Sequence, residues 1–85
     1  MREIVIIFAY KINFMTMMEK INRIKGAIAD AGRTNIWLAK QLGCDPATVS
    51  RWCSNSVQPD LKTLMNIAEL LNINIRELLV NTKIV

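Results

Sequence analysis

Histidine is absent from all 85 residues of the chain. That excludes catalytic triads, imidazole general bases and histidine-ligated metal sites. Cysteine is scarce: Cys44 and Cys53 are the two present, and they do not form the Cys-x-x-Cys spacing of a zinc site. With one in a turn and the other at the end of the following helix, a rise of ~1.5 Å per residue puts them over ~10 Å apart. That distance is too great for a disulfide, and both read as reduced thiols of a cytoplasmic protein. Three glycines and two prolines are too few for a linker or a disordered tail. There is no glycine-rich phosphate loop and no pair of carboxylates at a plausible site, so neither an enzyme nor a cofactor is expected. The apolar run Ile4–Tyr10 covers seven residues, far short of the ~20 that a membrane-spanning helix needs. It also lacks the small-x-small cleavage site of a secretory signal.

Hydrophobic residues make up 52% of the chain, enough for one small core. A domain of this size buries only about 60% of the surface that its unfolded chain exposes. The net charge is +4, and its location is informative. Residues 21–53 carry Arg23, Lys25, Arg33, Lys40 and Arg51 against Asp30 and Asp45, a net charge of +3, whereas residues 54–85 are balanced. An excess of this kind suits an anionic partner, most often nucleic acid. It serves solubility equally well.

The chain divides into an extension (residues 1–19), a regular region (20–80) and a short tail (81–85). In the extension, the β-branched run Ile4-Val5-Ile6-Ile7 predicts a strand. Met15, Met17 and Met18 offer alternative translation starts. In the regular region, Ile21, Ile24, Ala27, Ile28 and Ala31 recur at helical spacing up to Gly32. Thr34 is placed to cap a short helix over about 35–42, carrying Ile36, Leu38, Ala39 and Leu42 and ended by Gly43. Asp45-Pro46 opens a third helix over about 46–53 that buries Val49 and Trp52. Asp60 opens a fourth, with Leu61, Leu64, Met65, Ala68 and Leu71 inward. Asn74 opens a last short helix, about 75–80, with Leu78 and Leu79 inward. Five helices and an all-α fold are expected, without internal repeat. Trp52 reads as core and Trp37 as a half-exposed packing residue.

The second and third helices are joined by only three residues, Gly43-Cys44-Asp45. So short a turn makes them cross steeply and requires small side chains at the contact, where Ala39 and Val49 fall. This is the spacing of a helix-turn-helix, whose second helix enters the major groove. A steeply crossed pair also occurs as plain packing.

Thr34-Asn35-x-x-Leu38-Ala39-x-x-Leu42-Gly43 is followed by Asp45-Pro46-Ala47-Thr48-Val49-Ser50-Arg51-Trp52. Together they resemble the lambda-repressor/Cro-like (XRE) family of DNA-binding domains. The likeness runs on through Gln58-Pro59-Asp60-Leu61, Ile67-Ala68-Glu69-Leu70-Leu71 and Arg76-Glu77-Leu78-Leu79, covering about residues 20–80. It implies a five-helix domain and the following roles. Pro46, Ala47, Thr48 and Arg51 face base edges. Arg51 is suited to guanine O6 and N7, while Ala47 and the Thr48 methyl suit a thymine methyl. Thr34 and Asn35 stand where the family has Thr-Gln, whose amide meets a phosphate; Asn35 is one methylene shorter. The Ser50 hydroxyl and Lys40 are phosphate contacts, and Lys25 and Arg33 are surface cations open to the same use. Ser54, Asn55 and Ser56 match the family's phosphate-facing Asn-Gly-x stretch, and Asn55 replaces the glycine. Ala47 stands where Gln or Asn is common, so base readout leans on DNA shape.

The expected partners are double-stranded DNA and a second copy of the chain. Leu78-Leu79-Val80, Ile84-Val85 and the Ile4–Tyr10 run are candidates for a homodimer interface. A sequence-specific transcriptional regulator is the leading reading. Two others stay open: the DNA-binding antitoxin of a toxin–antitoxin pair, and a protein-interaction domain that has lost DNA binding. RNA is disfavoured, since no aromatic cluster offers a stacking platform.

Overall fold

The computed structural model describes residues 20–82. The expected strand at Ile4–Ile7, the Met15–Met18 cluster and Ile84-Val85 lie outside the described residues. Within them the chain forms α1 (Ile24–Asp30), α2 (Asn35–Leu42), α3 (Pro46–Cys53), α4 (Leu61–Leu71) and a 3-10 turn (Ile75–Leu78). No helix among the described residues is long and apolar enough to cross a membrane.

The start signals act as the side-chain chemistry requires. Thr34 Oγ1 accepts from the Trp37 amide at 3.1 Å, Asp45 Oδ1 from Ala47 at 2.9 Å, and Asp60 Oδ1 from Thr63 at 2.8 Å. Asn74 and Glu77 form a reciprocal capping box on the 3-10 turn. The four α-helices close alike, on residues of positive φ: Gly32 (67°), Gly43 (72°), Asn55 (62°) and Asn72 (55°). After α3, for example, the Asn55 amide returns to the Trp52 carbonyl and the Ser56 amide to the Arg51 carbonyl, at 3.0 and 3.1 Å.

Ile24, Ile28, Leu38, Ala39, Val49, Trp52, Leu64, Ile67, Leu71 and Leu78 form one core. α2 packs most extensively against α3, while α1 meets α3 and α4 meets α2. Ala39 is 1% exposed within this core. A leucine there has no room, so Ala39→Leu should destabilise the domain by about 1–3 kcal/mol in urea unfolding. A midpoint equal to wild type would show slack at the helix crossing.

The structure corrects several sequence expectations. α1 begins at Ile24, three residues later than the apolar spacing suggested, and Ile21 is exposed. The segment before α1 pairs antiparallel with residues 78–80 through a bridge between Asn22 and Leu79: the Arg23 amide donates to the Leu78 carbonyl at 2.8 Å, and the Val80 amide to the Ile21 carbonyl at 2.9 Å. The last helix is a four-residue 3-10 turn, and this pairing sets its end; Leu78 is buried and Leu79 exposed. Ala31 and Ile36 are exposed as well. On α4 the inward stripe is Leu64, Ile67, Ala68 and Leu71. Met65, turned about 100° from Leu64, is 56% exposed, and Leu61, in the first turn, is 74% exposed.

Hydrogen bonding from Thr63, through its side chain and then its backbone, holds the Asp60 carboxyl below its usual range, with a small assist from Lys62. A carboxyl lowered by folding stabilises the fold above its unfolded pKa, and that contribution is lost as pH falls through the folded value. Thermal melts below about pH 4 should therefore show wild type losing more stability than Asp60→Asn, which keeps a capping oxygen but does not titrate. Parallel acid profiles would show that the cap charge contributes nothing.

Candidate nucleic-acid interface

α3 owes its orientation to two buried residues. Val49 and Trp52 face the core, so Ala47, Ser50 and Arg51, at i, i+3 and i+4, form the outward stripe. Pro46 is exposed at the first helical position, and Thr48 is half-buried on the flank. The Arg51 side chain is exposed and has no hydrogen-bond or ion-pair partner among the described residues. Its backbone carbonyl, by contrast, is crowded. It accepts from the Ser56 and Val57 amides at 3.1 and 3.4 Å, and from the Ser54 and Ser56 hydroxyls at 3.0 and 3.2 Å.

A second group of polar residues gathers at the C-terminal end of α3. The Cys53 thiol donates to Asn35 Oδ1 at 3.5 Å, which sets the start of α2 beside the end of α3. The carbonyl of the Asn35 amide is thereby occupied, and its NH2 remains as a donor. Burial pushes the Cys53 thiol above its ordinary pKa, with Lys25 and the Asn35 hydrogen bond pulling the other way. Both cysteines are free thiols, each half-buried. Thr34 is exposed beside Asn35, and Lys40 is exposed in the last turn of α2. Arg33 stacks on the half-buried Trp37, 4.6 Å from its ring centroid.

The turn after α3 differs from the sequence picture in one respect. Ser54 and Ser56 present hydroxyls 2.7 Å apart, but the backbone amides of Asn55, Ser56 and Val57 all bond back to α3. The Asn55 side chain also faces inward: Oδ1 accepts from the Ile21 and Asn22 amides, both at 2.8 Å, and Nδ2 donates to the Asn22 carbonyl at 3.1 Å. The groups this turn presents outward are the Ser54 and Ser56 side chains, whose hydroxyl protons are shared between each other and the Arg51 carbonyl. Sequence reasoning missed Asn22 and Gln58, which complete this network. Asn22 falls within what reads as the first turn of an amphipathic helix, where a polar residue signals nothing but exposure.

The helix-turn-helix family model matches residues 27–78. Among solved structures, the chain is similar to a crystal structure of a "putative DNA-binding protein" from Bacteroides fragilis, with 52% identity and a TM-score of 0.70, covering 71% of this chain and 97% of that one. No curated protein matches the chain. Two packed helices joined by a three-residue turn that starts at Gly43, an exposed stripe on α3 and a family match across more than half the sequence agree: the chain belongs to the lambda-repressor/Cro-like (XRE) family of helix-turn-helix DNA-binding domains.

Proposed function

We propose that this chain is a small cytoplasmic transcriptional regulator that binds double-stranded DNA sequence-specifically as a homodimer, with α3 in the major groove. The observation that carries the reading is the outward stripe of α3. Ala47, Ser50 and Arg51 point away from a well-packed inner face, and the Arg51 guanidinium has no partner among the described residues. In this reading Pro46, Ala47, Thr48 and Arg51 read base edges. Thr34, Asn35, Lys40, Ser50, Ser54 and Ser56 position the domain on phosphates. Asn55 belongs to that turn but acts from behind it. With one long polar side chain on the stripe, direct readout centres on a guanine opposite Arg51, and DNA shape supplies the remainder.

Support for the dimer comes from a different surface than the sequence suggested. Leu78 is buried, whereas Val57, Leu61 and Met65 are at least half exposed. Leu61 and Met65 lie on one face of α4 by their spacing, and Val57 precedes them in the loop from α3. An apolar row of this kind suits an isologous contact that sets two copies of α3 side by side.

Amide chemical-shift mapping on addition of duplex DNA tests the reading. Shifts should centre on 46–51 and on the ends of α2 and α3. Shifts confined to other surfaces, or none, would contradict it.

A further inference from the structure

Asn22 precedes α1 and is 5% exposed, so it cannot touch a nucleic acid. Its side chain nonetheless ties the far end of α3 and the loop beyond it to the start of α1. Nδ2 donates to the Trp52 carbonyl at 2.9 Å and to Gln58 Oε1 at 2.6 Å, while Oδ1 accepts from the Ile24 amide at 3.0 Å. Its backbone amide and carbonyl are both held by the Asn55 side chain. Gln58 Nε2 closes the ring onto Asn55 Oδ1 at 3.1 Å. Three amide side chains thus clamp the turn that carries Ser54 and Ser56 onto a segment 33 residues earlier in the chain.

Positive φ at position 55 does not by itself demand an asparagine. Glycine adopts 62° without strain. What asparagine adds is the set of bonds to Ile21 and Asn22. The Arg51 carbonyl orders the two hydroxyls within the turn, and the clamp fixes the turn as a whole from behind, so it need not be ordered when a ligand arrives, and ordering costs affinity.

We infer that Asn22 is a positioning residue for DNA binding: its side chain, through the Trp52 carbonyl and through Gln58 to Asn55, holds the Ser54–Ser56 turn in the conformation that meets the phosphate backbone. The inference rests on the DNA-binding reading proposed above. The hydroxyls it positions are neutral, so losing them releases no counterions and carries no base information.

The test is a double-mutant cycle on the full chain. Asn22→Ser keeps an oxygen for the Ile24 amide but cannot reach Trp52 or Gln58. Asn55→Gly keeps the turn's backbone and removes the clamp from the other side. Fluorescence anisotropy is read with an enriched duplex and a scrambled one, well below each variant's melting temperature. Each single variant should bind both duplexes roughly three- to tenfold more weakly than wild type. The loss should be the same at every salt concentration, and the double variant should be no weaker than the weaker single. A merely structural role would lower the melting temperature and leave the affinity of the folded protein unchanged. Wild-type affinity in both singles overturns the inference, as do losses that multiply in the double variant, because Asn55 would then meet DNA independently of Asn22. A wild-type chain that binds neither duplex overturns the DNA-binding reading and this inference with it.

Discussion

Replacing Arg51 with alanine should weaken binding to the enriched duplex by about 1–3 kcal/mol, roughly 5- to 150-fold, and erase preference at one base pair. The side chain is exposed, has no partner among the described residues and does not pack in the core, so the domain should melt as wild type does. The slope of log affinity against log salt should fall by up to about 1, as expected when one cation is removed from the interface. A guanine contact can be separated from a phosphate contact by substituting 7-deazaguanine. Removing N7 at the preferred base pair should weaken wild type and leave Arg51→Ala unaffected. An Arg51→Ala variant that keeps both affinity and preference would remove α3 from the groove and favour a protein-interaction role.

The second large effect concerns assembly. Joint replacement of Leu61 and Met65 by glutamate should yield a stable monomer, since both side chains are mostly exposed and neither belongs to the core. Across a two-fold axis the substitution sets like charges against one another. Losing the partner turns a linked two-site binding event into two separate ones. Affinity for a palindromic duplex should fall roughly a hundredfold or more, with little change on a single half-site. Sedimentation and anisotropy together decide the matter. A double variant that remains dimeric would place the interface elsewhere, with exposed Leu79 the next surface to alter.

Local chemistry made most of this fold legible. Thr34, Asp45-Pro46, Asp60 and Asn74 are strong start signals, and Gly32 and Gly43 are strong stops, because each acts on its neighbours whatever the rest of the chain does. All of them act as expected here. The misreadings arose where long-range pairing decides the outcome. Ile21 fits a helical stripe, yet its segment pairs with residues 78–80, which are not its neighbours in sequence. Leu61 and Met65 are apolar at near-helical spacing, yet Ile67 centres the buried face of α4 and leaves them outside. The candidate site divides the same way. The outward stripe of α3 follows from the burial of Val49 and Trp52, which periodicity anticipates. The inward turn of Asn55 depends on Asn22, and no spacing rule links two residues so far apart.

Selection from a random duplex pool, followed by anisotropy titration of the enriched sequences at several salt concentrations, tests the central claim most directly. A dimer with α3 in the groove should enrich a palindrome whose half-sites lie about one helical turn apart, with a guanine in each half-site and affinity falling steeply with salt. An unenriched pool with weak, salt-sensitive binding to every duplex would contradict sequence-specific recognition.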